Sequence, residues 1–197
     1  MIYKRGEIVN KNRMEALTDG IIAIAATIMV LEIHAPESFT FVTLRNQVPA
    51  MLAYLISFLL VMLSWYSYHL MFLHVKRVDL RVYLSNTMWL LVLTAIPFAT
   101  SWVGMFPTHW QPELTYLVIT TLWAAMYSLT AQMLKRANPA LKNDVNQESV
   151  SAIILRYVIL IGALIILPFW PPVGLVGTII LMIISLLFNF RDEKRPH

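Results

Sequence analysis

The chain is 197 residues long, 58% hydrophobic and 13% charged, with a mean hydropathy of +0.66, which leaves too little polar surface for a soluble domain of that size. It has no cysteine, so a disulfide framework and thiolate metal or redox chemistry are excluded. Its net charge of +4 comes from basic residues in short clusters between apolar stretches, a pattern that fits orientation in a lipid bilayer better than a nucleic-acid-binding face, and no nucleic-acid partner is expected.

Apolar stretches long enough to cross about 30 Å of hydrocarbon lie at 15–34, 48–73, 82–104, 114–134, 150–170 and 172–190. They predict an all-α integral membrane protein whose six spanning helices form a single domain over residues 1–197. The first stretch follows basic residues, but no small-residue cleavage site comes after it, so it is expected to stay in the protein rather than leave as a signal peptide. Turn and stop signals separate the spans: Ala35-Pro36, the charged run His74 to Arg81, Phe106-Pro107 with Gln111-Pro112, Asn138-Pro139, and Pro168 to Pro172. The last break is the tightest and predicts a hairpin of the fifth and sixth helices.

Lys4, Arg5, Lys11 and Arg13 precede the first span, Lys76, Arg77 and Arg81 fill the second loop, Lys135, Arg136 and Lys142 the fourth, and three more follow the last span. The opposite side shows only Arg45. The positive-inside rule therefore predicts cytoplasmic N- and C-termini in a multi-pass protein of the inner (plasma) membrane.

The first span is unusual. Its apolar core, Ile21 to Leu31, is short, rich in alanine and flanked by Asp19 and Glu32, a poor match to lipid that is better surrounded by protein. At 100° per residue Arg13, Leu17, Gly20, Ile24, Ile28 and Leu31 share one face, with Thr27 at its border and Asp19 roughly opposite. Ala23, Ala25 and Ala26 permit close helix contact. By periodicity alone the stripe reads as bundle packing or as a pore lining. Asp19 at this depth needs a partner or water; Arg13 lies one and a half turns earlier, Thr18 is a candidate cap for the helix start, and solvation at the interface is the alternative. Glu32 stands about 80° from Ile24, as a cation-attracting group or a solvated flank.

Partners for Asp19 are expected on the next two spans: Ser57, Trp65 and His69 lie four to eight residues apart, Trp65 and His69 share a face, and Asn86 opens the third span. A structural polar network explains these better than metal ligation, since no HExxH-type spacing is present. No nucleophile with a positioned base, paired catalytic carboxylates or phosphate-cradling loop is found, so neither an enzyme nor a resident cofactor is expected.

The first-helix pattern Arg13-Met-Glu-Ala-Leu17-Thr18-Asp19-Gly20, leading into Ala23-Ile24-Ala-Ala-Thr27, resembles the signature of the bacterial branch of the transmembrane protein 175 potassium channels. Leu17 and Thr18 replace that family's Phe and Ser, keeping apolar and hydroxyl character. The likeness continues through Ser57-Phe58, Trp65, His69, Phe72, Arg77, Asp79, Asn86 and Pro97-Phe98, and beyond the third span rests on hydrophobic layout alone.

The resemblance implies a potassium-selective or potassium-preferring channel, a homotetramer in which the first helix of each subunit lines a central pore. The absence of a TVGYG-like filter agrees with it. Carried over by position, Ile24 forms the main apolar constriction, Ile28 and Leu31 extend it, and Thr27 offers a hydroxyl ring for selectivity. Arg13, Thr18 and Asp19 with Trp65, His69 and Asn86 form the structural polar network. The alternative is a proton-coupled secondary transporter using Asp19 and His69, against which stands the lack of an internal repeat. No ligand domain, Arg-rich voltage-sensor helix or calcium loop suggests how the protein is regulated.

Overall fold

The computed structural model describes residues 10–141 and 150–193, with side chains described for 10–140 and 154–184. The described residues form helices α1 (Lys11–Leu31), α2 (Phe41–Asn46), α3 (Val48–Phe72), α4 (Leu80–Leu93), α5 (Ile96–Met105), α6 (Trp110–Ala137), α7 (Val150–Ile166) and α8 (Val173–Glu193). Among the described residues, four segments are long and apolar enough to cross a membrane: Lys11–Leu31, Val48–Phe72, Leu80–Met105 and Trp110–Ala137. The fifth and sixth expected spans correspond to α7 and α8, whose described apolar segments, Ile154–Ile166 and Val173–Ile184, are shorter. They pack against each other across the Pro168 to Pro172 turn, as the hairpin expectation requires.

The first helix begins earlier than its apolar stretch. Asn10 Oδ1 accepts from the backbone N–H of Asn12 (2.9 Å) and Arg13 (3.4 Å), satisfying orphan donors of the first turn. Thr18 is therefore no cap but an interior residue of α1, wholly buried. The helix ends at Leu31, with the Glu32 N–H closing on Ile28 O at 3.3 Å, and Pro36 keeps it from resuming by disfavouring helical backbone at Ala35.

The third span is not one rod. Pro97 has no N–H, and its ring crowds the carbonyl four residues back, so the helix breaks at Thr94–Ala95 between α4 and α5. Ala95 N–H turns to Val92 O at 3.0 Å, and the Thr94 hydroxyl donates to Leu91 O at 2.7 Å, covering part of the freed backbone. Pro112, by contrast, sits in the first turn of α6, where its missing N–H costs nothing.

α1 lies against α3, α4 and α5, and α6 packs along α4 and α5. Close approach of α3 and α5 depends on Gly104, where a Cβ would lie 2.7 Å from Ala50 Cα. Aromatic rings tie the other contacts: Tyr68 stacks on Trp89 (centroids 5.1 Å apart), and Trp89 stacks in turn on Trp123 (5.8 Å). At the opposite end from α2, Asn138 pins the α3–α4 loop to the end of α6. Its Oδ1 accepts from the N–H of Lys76 (3.2 Å) and Arg77 (2.9 Å), while its Nδ2 donates to Arg77 O (2.9 Å).

Candidate functional site

The two-sided character of α1 is plain in three dimensions. Met14, Thr18, Ile22, Ala25, Ala26 and Met29 are buried against the rest of the protomer, the spacing of a helix face turned inward. The alanines give no side-chain bulk, so α1 sits close to its neighbours. The opposite face carries Arg13, Leu17, Gly20, Ile24, Thr27, Ile28 and Leu31, all exposed in the single chain. Ile24 is 60% exposed and Leu31 79%. A largely apolar stripe therefore runs most of the helix length with none of the other described residues over it.

Thr27 is the polar break in that stripe. Its hydroxyl hydrogen is shared between Ala23 O (3.0 Å) and Ile24 O (2.9 Å), the back-bonding habit of threonine within a helix. With the hydrogen turned to the backbone, the oxygen lone pairs face outward as acceptors. A cation would meet an oxygen there, not a donor.

The polar residues expected to form one network fall into two groups. Thr18 and Asp19 are adjacent, so their side chains leave α1 about 100° apart. The Thr18 hydroxyl is buried, accepts from Asn86 Nδ2 on α4 at 3.0 Å and lies 3.4 Å from the Tyr68 hydroxyl on α3. Asp19 lies at the protomer surface and accepts from Trp65 Nε1 at 2.8 Å. Trp65 stacks on His69 at 5.8 Å and 19°, one turn along the same face. Asn86 thus serves Thr18 and not Asp19. Arg13 is exposed, and among the described residues its guanidinium bonds to neither group.

Tyr68 is the member that residue-type reasoning passed over. It is buried, and its ring bridges Phe72 (4.4 Å) and Trp89 (5.1 Å) while its hydroxyl meets Thr18. The available signal was its position three residues after Trp65 and four before Phe72. Ser57 belongs to another site: its hydroxyl accepts from Thr100 Oγ1 at 2.8 Å and lies 3.1 Å from Tyr116 Oη, joining α3, α5 and α6. Lys11 Nζ donates to Phe72 O at 2.7 Å, tying the start of α1 to the end of α3. Among the described residues no group of three or more His, Cys, Asp or Glu side chains could hold a metal ion.

Residues 13–97, which hold α1 from Arg13 onward, both polar groups and Pro97, match the family model described as endosomal/lysosomal potassium channel TMEM175. A potassium channel of Chryseobacterium sp. (strain P1-3) is 31% identical over 190 residues, 94% of this chain and 97% of that one. The human endosomal/lysosomal proton channel TMEM175 is 32% identical over 120 residues, 55% of this chain but 24% of its own length. The fold is similar to the crystal structure of a lysosomal potassium-selective channel TMEM175 homolog from Chamaesiphon minutus, with a TM-score of 0.68 at 24% identity over 91% of this chain and 96% of that one.

Proposed function

Because the chain belongs to the TMEM175 family, which is a family of membrane ion channels and not of enzymes, we propose that it is a potassium-preferring cation channel: a homotetramer of six-span subunits with the four copies of α1 around a central pore. The observation that carries this reading is the uncovered stripe on α1. That face carries Gly20 and Thr27 among its apolar residues, and the apolar core between Asp19 and Glu32 is short for hydrocarbon, so copies of the same helix cover it better than lipid does. α7 and α8 serve as the fifth and sixth spans, and both termini lie on the cytoplasmic side of the plasma membrane, in keeping with the basic clusters.

In this arrangement Ile24 closes the narrowest ring, continued outward by Ile28 and Leu31. A narrow apolar ring expels its own water, and an ion cannot cheaply cross it undressed, so modest helix rotations suffice to gate it. Thr27, one turn beyond Ile24, presents oxygen lone pairs to an ion leaving the ring. Asp19 with Trp65 and His69, and Thr18 with Asn86 and Tyr68, hold α1 in the orientation that the pore requires.

Potassium is favoured over protons as the main permeant ion because the bacterial relative named a potassium channel matches over nearly its whole length, whereas the human relative named a proton channel matches over a quarter of its own. The test is the potassium-to-sodium permeability ratio of the purified protein in planar bilayers, with and without Thr27→Ala. A ratio lowered by Thr27→Ala supports the selectivity role. An unchanged ratio removes Thr27 from it.

A further inference from the structure

The short helix α2 stands between α1 and α3 on the side opposite the basic clusters and buries none of its residues. Its conformation is nonetheless fixed. The Thr43 hydroxyl donates to Thr40 O at 2.8 Å and lies 3.1 Å from Ser38 Oγ, while Thr40 Oγ1 caps the Thr43 N–H at 3.4 Å. What α2 offers outward is apolar: Phe41 is 88% exposed, beside Val42 and Leu44. Phe41, Leu44, Val48 and Met51 line a groove of about 360 Å³ that continues from α2 onto the first turns of α3, and Arg45 is its one charged wall residue.

We propose that this groove is a phospholipid site: an acyl chain of an anionic glycerophospholipid lies along Phe41, Leu44, Val48 and Met51, and its phosphate accepts hydrogen bonds from the Arg45 guanidinium. The inference rests on the membrane-channel reading, because it needs α2 at the bilayer surface. Three observations favour lipid over a protein partner. The groove starts where the second span starts, so hydrocarbon reaches Val48 and Met51 in the membrane. Arg45 is exposed, its guanidinium has no hydrogen-bond or ion-pair partner among the described residues, and it is the lone Lys or Arg in the loops of this side. An Arg at headgroup depth with an apolar slot below it is complementary to a phosphate with a chain below it. Interfaces between membrane helices, by contrast, favour small residues, and this groove has large ones.

The experiment is native mass spectrometry of the full-length protein released from nanodiscs of phosphatidylglycerol or phosphatidylcholine with matched acyl chains. Wild type should retain phosphatidylglycerol over phosphatidylcholine by about fivefold, the effect of one basic side chain at an anionic membrane surface. Arg45→Gln should bring that preference close to one, and Arg45→Lys should keep most of it. Phe41→Ser should lower retention of both lipids together. Equal preference in wild type and Arg45→Gln would overturn the site, as would Val42→Cys cross-linking one subunit to another in place of lipid retention. Potassium flux through sealed liposomes holding the same purified proteins separates this inference from its premise. A wild type with no lipid preference but normal flux rejects the lipid site alone, whereas absent wild-type flux rejects the channel reading.

Discussion

Thr18→Val is the sharpest probe of how α1 is held, because valine keeps the shape of threonine and removes only the hydroxyl. In the wild type that oxygen accepts from Asn86 Nδ2 at 3.0 Å and lies 3.4 Å from the Tyr68 hydroxyl. Interhelical hydrogen bonds in membranes average about 0.6 kcal/mol, and the longer contact to Tyr68 is worth less. The larger cost falls on Asn86, which is buried and whose Oδ1 already lacks a hydrogen-bond partner. Without Thr18 its Nδ2 also loses its partner, at about 1–3 kcal/mol for an orphaned buried polar group. Thr18→Val should therefore destabilise the protein by about 2 kcal/mol in reversible unfolding from mixed micelles. Asn86→Leu added to it removes the orphan, so the double variant should be more stable than the sum of the single effects by about 1 kcal/mol. A loss below about 0.5 kcal/mol for Thr18→Val, or strict additivity of the pair, would refute the reasoning.

Other outcomes follow from single contacts. Gly104→Ala places a Cβ 2.7 Å from Ala50 Cα, and since backbone cannot move aside cheaply, α3 and α5 must separate; a loss of about 1–3 kcal/mol is expected in the same unfolding assay. Asp19→Asn keeps an acceptor for Trp65 Nε1 but removes its charge, which weakens the bond by about 1 kcal/mol. Size-exclusion chromatography should show a smaller tetramer fraction while the surviving channels keep near-normal unitary conductance; full assembly with altered selectivity would contradict this role.

Much of this architecture is legible in the sequence because burial in lipid leaves a coarse signal. The second span is expected at 48–73, and α3 runs Val48–Phe72. The two faces of α1 follow from helical periodicity, and the exposed stripe contains Ile24, Ile28 and Leu31. What periodicity does not resolve is local. Pro97 is visible in the sequence, but hydropathy continues unbroken across it, so the division of the third span into α4 and α5 is not. Asn10 lies beyond the apolar stretch that marks the span, which is why Thr18 is an attractive cap on paper and an interior residue in the fold. The split of the polar residues into a buried and a surface group depends on how α3 and α4 approach α1. No spacing within one helix determines that, and so Asn86 meets Thr18 while Asp19 is left to Trp65.

The central claim is that ions cross between copies of α1 through an apolar ring at Ile24. The most direct measurement is the reversal potential of the purified protein in planar bilayers under a potassium-to-sodium gradient, wild type against Ile24→Asn. The account predicts a passive current that reverses toward the potassium equilibrium potential and a larger conductance in Ile24→Asn, where an amide keeps the ring wet. No current, flux that demands a proton gradient, or a conductance indifferent to Ile24→Asn would contradict it.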